Sequence, residues 1–412
     1  MEEWLHENWV TFVCDGTTVM LGKKSGVATR LTSKFRKLFV WHCMNHRLEL
    51  AVSDAVDEVN SVNHFKAFMQ KLYSLYSMSN KNELKDAAAE VDSQLLCIGR
   101  VLDVRREASS FRTVRAVWTS LEALVQHFKS AYHDETRSTK EKQIYRGLLD
   151  RVQSPEFLCD LGLMYDTLHE LSILSQELQA RPVTLLRADH LLKCTIRVIH
   201  SFKESPGQKY SEALEAKDRG MLYRSVALKQ NVKLISIHPR QFLQSIVNNL
   251  EQRLSFEDEI IKDLGILDQS KWPSNPSIRH GEEQIKRLCK RFNLCKDQAL
   301  NGMRDLLEEP NSKPKDLKPL INCMKTFPVS TAEYDRNFGL MNNINTDKRA
   351  VLLVSNVSNL MMINISGPPT SKFEPQKYTR TWLMSHHTAS SIHSRQCRVK
   401  TLVESKSVWR IL

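Results

Sequence analysis

From about residue 61 to residue 308 apolar side chains return every three to four positions, and this period commits most of the 412-residue chain to helices packed on one another. Val62, Phe65, Phe68, Met69, Leu72 and Tyr76 form one stripe, and Val114, Val117, Trp118, Leu121, Leu124, Val125 and Phe128 form another. Ser154-Pro155-Glu156 supplies a cap, an N1 proline and a first-turn acid to a helix carrying Leu158, Leu161, Tyr165, Leu168, Leu171 and Leu178. His238-Pro239 starts another, with Phe242, Ile246, Leu250 and Leu254 on one face. The ordinary physical meaning of such stripes is core packing.

The flanks read differently. Residues 9–14 are β-branched and aromatic and end in Asp15-Gly16, a strand followed by a turn. A Gly-Lys-Lys-Ser-Gly stretch and a basic segment lead to a second apolar run at 38–41, and Leu48, Val52, Ala55, Val56 and Val59 then predict a helix. Residues 1–60 are thus an α/β opening. Residues 309–316 hold two prolines and mixed charge, the composition of a linker. Beyond it, helices are expected over 317–324, from Ser330-Thr331 through Asp335, Phe338 and Met341, and over 352–365 before Gly367-Pro368-Pro369. The Ser-, His- and Arg-rich tail, 384–412, has no periodicity and is expected to be disordered.

With 41% hydrophobic and 26% charged residues the chain can bury a proper core, and its net charge of +12 is a field that attracts nucleic acid or is simply solvated. Nine scattered cysteines, an odd number, argue for free thiols in a reducing compartment. The most apolar late stretch, 351–365, is too short and too rich in Ser and Asn to span a bilayer. Asp15, ending a strand, suits either a metal-binding carboxylate or an Asx turn. Cys43 and His46 have the spacing of two zinc ligands, but no second pair stands nearby, and a structural role fits as well. The six-residue offset of Cys289 and Cys295 keeps them off one helical face, so both are ordinary thiols. The basic cluster at 286–291 is either a phosphate contact or a solvated face. Gly22-x-x-x-Gly26 lacks the length and the Lys-Ser/Thr of a phosphate loop, and no nucleophile spacing points to a small-molecule substrate.

Three blocks carry a resemblance. CDGTTVMLGKKSGV at 14–27 resembles the block of hAT-superfamily transposases that holds the second catalytic aspartate; WHCMNHRLELAV at 41–52 is similar to their Cys-x2-His segment; STAEYDRNF at 330–338 is similar to their C-terminal block. Residues 164–179 and 352–383 resemble the vertebrate domesticated branch, whose members carry labels such as E3 SUMO-protein ligase-like or hAT dimerisation domain protein. The resemblance implies a mixed α/β and α protein. A truncated RNase H-like α/β domain (1–60, first strands missing) would be interrupted by an all-α insertion domain (61–308), with a helical dimerisation segment (317–383) completing the RNase H-like fold.

Carried over, Asp15 is the second acid and Asp335 stands where the family has glutamate as third, with Glu333 the less suitable substitute. Cys43, His46 and Arg336 hold the family's motif positions with a structural role. Gly339 replaces a serine, Val104-Arg-Arg106 replaces Thr-Arg-Trp, and neither the first acid nor a zinc-finger DNA reader precedes Asp15. The expectation is a non-catalytic, nuclear homo-oligomer, dimerising through Leu352, Leu353, Val357, Leu360, Met361 and Ile363, with basic surface left for DNA. It needs no membrane and no cofactor; magnesium would enter only if the acid set were complete. Two alternatives remain: SUMO ligase-like activity, although no RING-type Cys/His array is present, and DNA strand transfer with the first acid supplied upstream. Folding of the 352–363 residues into the chain's own core competes with dimerisation.

Overall fold

The computed structural model describes residues 2–78, 81–92, 94–101, 107–181, 183–231, 234–256, 258–346, 349 and 351–384. Residues 104–106 and the tail from 385 on lie outside them. The chain divides into two units, Met1–Thr331 and Ala332–Leu412. The described residues are mainly α-helical, and no helix among them is long and apolar enough to cross a membrane.

The first unit opens with α1 (Glu2–Asn8), β1 (Thr11–Cys14), α2 (Thr18–Leu21), α3 (Val27–Lys34), β2 (Phe39–His42) and α4 (Met44–Glu58). The strands pair in parallel, Thr11 beside Phe39 and Cys14 beside His42. A parallel pair needs a crossover, and α2 and α3 provide it. Helices then follow: α5 (Asn60–Met78), α6 (Lys81–Glu90), α7 (Glu107–Thr119), α8 (Leu121–His133), α9 (Thr139–Val152), α10 (Pro155–Leu178), α11 (Leu185–Ser201) and α12 (Gln208–Asp218). A short hairpin, β3 (Leu222–Tyr223) and β4 (Val226–Ala227), precedes α13 (Pro239–Arg253), α14 (Glu259–Leu264), α15 (Glu282–Phe292), α16 (Lys296–Glu308) and α17 (Lys318–Lys325). The proline-bearing stretch 309–316 joins α16 to α17 inside this unit. The second unit holds α18 (Ala332–Ile344), α19 (Val354–Ser366) and α20 (Pro375–Met384).

The helix α10 is the axis of the first unit. Ser154 caps it, its Oγ accepting from the Phe157 N–H at 3.1 Å, with Pro155 in the first turn. Residues around its whole circumference are buried, from Phe157 and Leu158 to Leu174 and Leu178, so it packs on α4, α7, α9, α11 and α12. Gly162 sits where a Cβ would come within 2.6 Å of the Lys209 carbonyl, which lets α12 lie directly on α10. One turn on, the Asp166 carboxylate accepts the Lys209 and Tyr210 N–H groups at 3.1 and 2.9 Å, an anion at the N-terminus of α12.

Both aromatic and leucine stripes are buried as their period requires; Phe68 meets Phe157 edge-on at 4.9 Å. The second stripe runs through two helices rather than one, because Ser120 leaves helical geometry between α7 and α8. The Ser120 N–H to Ala116 and Leu124 N–H to Ser120 bonds persist at 2.9 Å, so the stripe continues across the break. A partly buried polar set ties α5, α6, α8 and α9 together: His127 bonds Tyr76 at 2.8 Å and Glu83 at 2.9 Å, and Glu83 accepts from Arg137 at 2.6 Å. Arg137 in turn lies over the Tyr145 ring.

Asp160, buried on α10, accepts the Ile237 N–H at 2.8 Å and so fixes the loop before α13. Burial pushes its carboxyl up to about 7, against the Ile237 N–H and Arg151, which pull it down. The folded state therefore keeps a proton that the unfolded state releases between about pH 4 and pH 7, and stability falls as pH rises through that window. Asp160→Asn, whose Oδ1 can still accept from Ile237, is expected to flatten this fall and to stabilise the protein at about pH 8 by on the order of 2 kcal/mol. Urea unfolding at about pH 5 and pH 8 measures it, and an equal change in stability at both values would refute the raised carboxyl.

Candidate functional site

The front of the first unit brings together the ends of β1 and β2 and the start of α4. Asp15 follows β1 directly. Its Oδ1 accepts from the Thr17 hydroxyl at 2.7 Å and the Thr17 N–H at 3.2 Å, the geometry of an Asx turn. Gly16 has a second reason to be glycine, because a Cβ there would stand 2.7 Å from the His42 imidazole. His42 itself is pushed down to about 4 by burial and by the nearby Arg47, so it is neutral near pH 7.

Cys43 and His46 do meet, since three residues on the first turn of a helix share a face. Cys43 is fully buried, and its N–H completes the strand ladder by donating to the Cys14 carbonyl at 2.9 Å. The next N–H, of Met44, donates to the Val329 carbonyl at 3.0 Å. The Cys43 sulfur accepts from the Thr331 N–H at 3.3 Å and from its hydroxyl at 3.4 Å. Burial alone would raise this thiol, but the bonds from His46 and Thr331 outweigh it and the net shift is down. The same Cys43 contact raises His46. Cys43 is thus a buried clip that holds the returning segment 329–331 against the strand ends.

Arg47 extends the clip. Its guanidinium donates to the Arg253 and Ser255 carbonyls, the latter at 3.3 Å, and lies over the Trp41 ring at 5.3 Å, joining α4 to the end of α13. His42 and Arg47 were not singled out from the sequence, and Thr331 was read there only as the start of a helix. Arg47 carried a usable signal, directly following His46 and six residues past Trp41; Thr331 carried none, because its partner lies 288 residues away.

Asp335, Glu333 and Arg336 belong to the second unit, on the first turns of α18. Arg336 pairs with Glu333 at 2.6 Å, and Asp335 is exposed. Among the described residues no three His, Cys, Asp or Glu side chains converge as a metal-binding set. One oxygen of the Asp15 carboxylate, Oδ1, is engaged by Thr17. The cluster at 286–291 is partly neutralised: Lys286 pairs with Glu283 at 2.7 Å, and Arg287 meets Asp263 through two bonds. Cys289 lies on α15 whereas Cys295 caps α16.

The dimerisation candidates occupy α19 and its approach. No residue of α19 is buried. Leu360 and Ile363 are exposed, Leu352, Leu353, Val357 and Met361 are half-buried, and neighbouring Val351, Val354 and Met362 are exposed as well. A scan against protein-family models finds no match for this chain.

Cys43→Ala removes the acceptor of both Thr331 bonds and is expected to cost about 1–3 kcal/mol in chemical denaturation, whereas Cys43→Ser, which keeps an acceptor, costs less. Thiol titration of the native protein should modify the exposed Cys97 and Cys295 well before Cys14 and Cys43. Rapid native labelling of Cys43 would contradict a closed clip.

Proposed function

We propose that this chain is a transposase-derived, non-catalytic protein that self-associates through its C-terminal helices. The observation that carries the reading is the apolar surface of the second unit. An amphipathic helix in a monomer turns its apolar stripe inward, yet α19 turns Val354, Leu360, Met362 and Ile363 outward, and α18 does the same with Tyr334 and Phe338. The helix α20 adds Tyr378, Trp382 and Met384. A second copy of the same surface is the partner that such a patch fits, since closed two-fold interfaces are self-complementary.

An RNase H-like origin is supported by the parallel β1–β2 pair with its helical crossover, by α4 leaving the second strand, and by the return of residues 329–331 to that strand end after the helical region. The engagement of Asp15 Oδ1 in an Asx turn with Thr17 supports the non-catalytic reading. Nucleic-acid contact rests on the net charge alone.

Light scattering on the full chain and on a chain ending at Thr331 tests the proposal. The cut preserves the first unit, whose core includes Leu317, Leu320, Phe327 and Val329. The full chain should be a dimer at micromolar concentration, and the shortened chain a folded monomer. Ile363→Asp in the full chain should raise the dissociation constant at least about tenfold, the effect of one charge in an apolar contact. A full chain that stays monomeric overturns the assignment.

A further inference from the structure

We propose that the groove of the first unit between α11, the end of α13 and α14 docks a short acidic peptide segment of a partner protein. Its apolar side chains would enter the groove and its carboxylates would lie on the rim. The groove encloses about 990 Å³, at the upper end of what single-ligand and short-peptide sites span.

Its floor is aliphatic, with Leu192, Leu254, Ile261 and Ile266 buried and Ile196 half-buried. Its rim is cationic. Four exposed cations, Lys193, Arg197, Lys262 and Lys271, line it with only two carboxylates, Asp189 and Glu251. Asp189 is buried below the rim and accepts from Lys193 at 2.8 Å and Lys271 at 3.1 Å, and Lys271 also pairs with Asp268 at 3.8 Å, so the charge left over on the rim is that of Arg197 and Lys262. Arg197 donates to the Cys194 sulfur at 3.3 Å, and neither Arg197 nor Lys262 has a carboxylate partner among the described residues. Lys193 and Arg197, four residues apart on α11, face the same way.

An apolar trough under a surplus of positive charge is complementary to an amphipathic acidic segment, with Leu or Phe anchors at helical spacing and Glu or Asp between them. Single-stranded nucleic acid, the other anionic polymer, needs open aromatic faces on which bases stack. Here the two largest rings of the wall are engaged: Trp272 donates its indole N–H to the Ile266 carbonyl at 2.7 Å and meets His280 edge-on, and Phe256 packs on Trp41 at 5.9 Å. The observations therefore favour the peptide.

Fluorescence anisotropy on the full chain tests this with three labelled probes: a peptide of about 12 residues built from Glu with Leu and Phe at positions i, i+3, i+4 and i+7, the same peptide with Lys for Glu, and an oligothymidylate. The expected result is micromolar binding of the acidic peptide alone, weakened by salt. Binding should fall at least about tenfold in K193E/R197E and in Ile196→Asp. Both changed α11 rim residues are exposed, and thermal unfolding confirms that the variants fold; K262E, on α14, is an independent variant should either fail. The proposal is overturned if the acidic peptide does not bind, if it binds wild type and folded variants equally, or if oligothymidylate displaces it and loses affinity in the same variants.

Discussion

The packing of α10 on all sides is the constraint from which the first unit follows. A helix buried around its circumference cannot stand alone, because its apolar surface must be covered by several partners at once. Of its 24 residues 16 are buried, and α4, α7, α9, α11 and α12 all rest on it. The few polar atoms it carries inside are spent on fixing those partners. Asp160 holds the loop before α13, Asp166 holds the start of α12, and Ser175 reaches Asn45 of α4 at 2.8 Å, which links the helical region to the strand pair.

The strand pair depends on a contact of much longer range. Two short parallel strands are weak by themselves, and here their open end is closed by residues as far as 288 positions away. Met44 and Cys43 take the Val329 carbonyl and the Thr331 hydroxyl and N–H, and Phe327 packs on Phe39 at 5.4 Å and Phe292 at 5.8 Å. Such closure is costly in chain entropy. It persists because it buries Phe327 and Val329 and satisfies the thiol at the same time. The Cys-x2-His spacing thus serves to hold the chain together, with its chemistry directed inward.

Local features were legible in the sequence, and distant ones were not. The Ser154-Pro155 start of α10, the Asp15-Gly16 turn and the stripe from Val62 to Tyr76 follow from spacing over one or two helical turns, the range in which side chains must share a face. The interruption at Ser120 was invisible, because an apolar stripe keeps its period across a break whose flanking backbone bonds remain. The partner of Cys43 could not be read either, since no local pattern in residues 329–331 marks a contact with residue 43. The apolar run 352–365 predicts a helix and leaves its covering open; the helix over 354–366 has no buried residue, in contrast with α10.

Self-association as proposed would cover α19 with a second copy of this chain. Hydrogen exchange on the full-length protein, compared between dilute and concentrated solution, tests it directly. Amides of 354–366 and their neighbours in α18 are expected to gain protection with concentration while those of α10 do not change, because only the second unit would meet its partner by mass action. Protection of 354–366 that is the same at every concentration would contradict it.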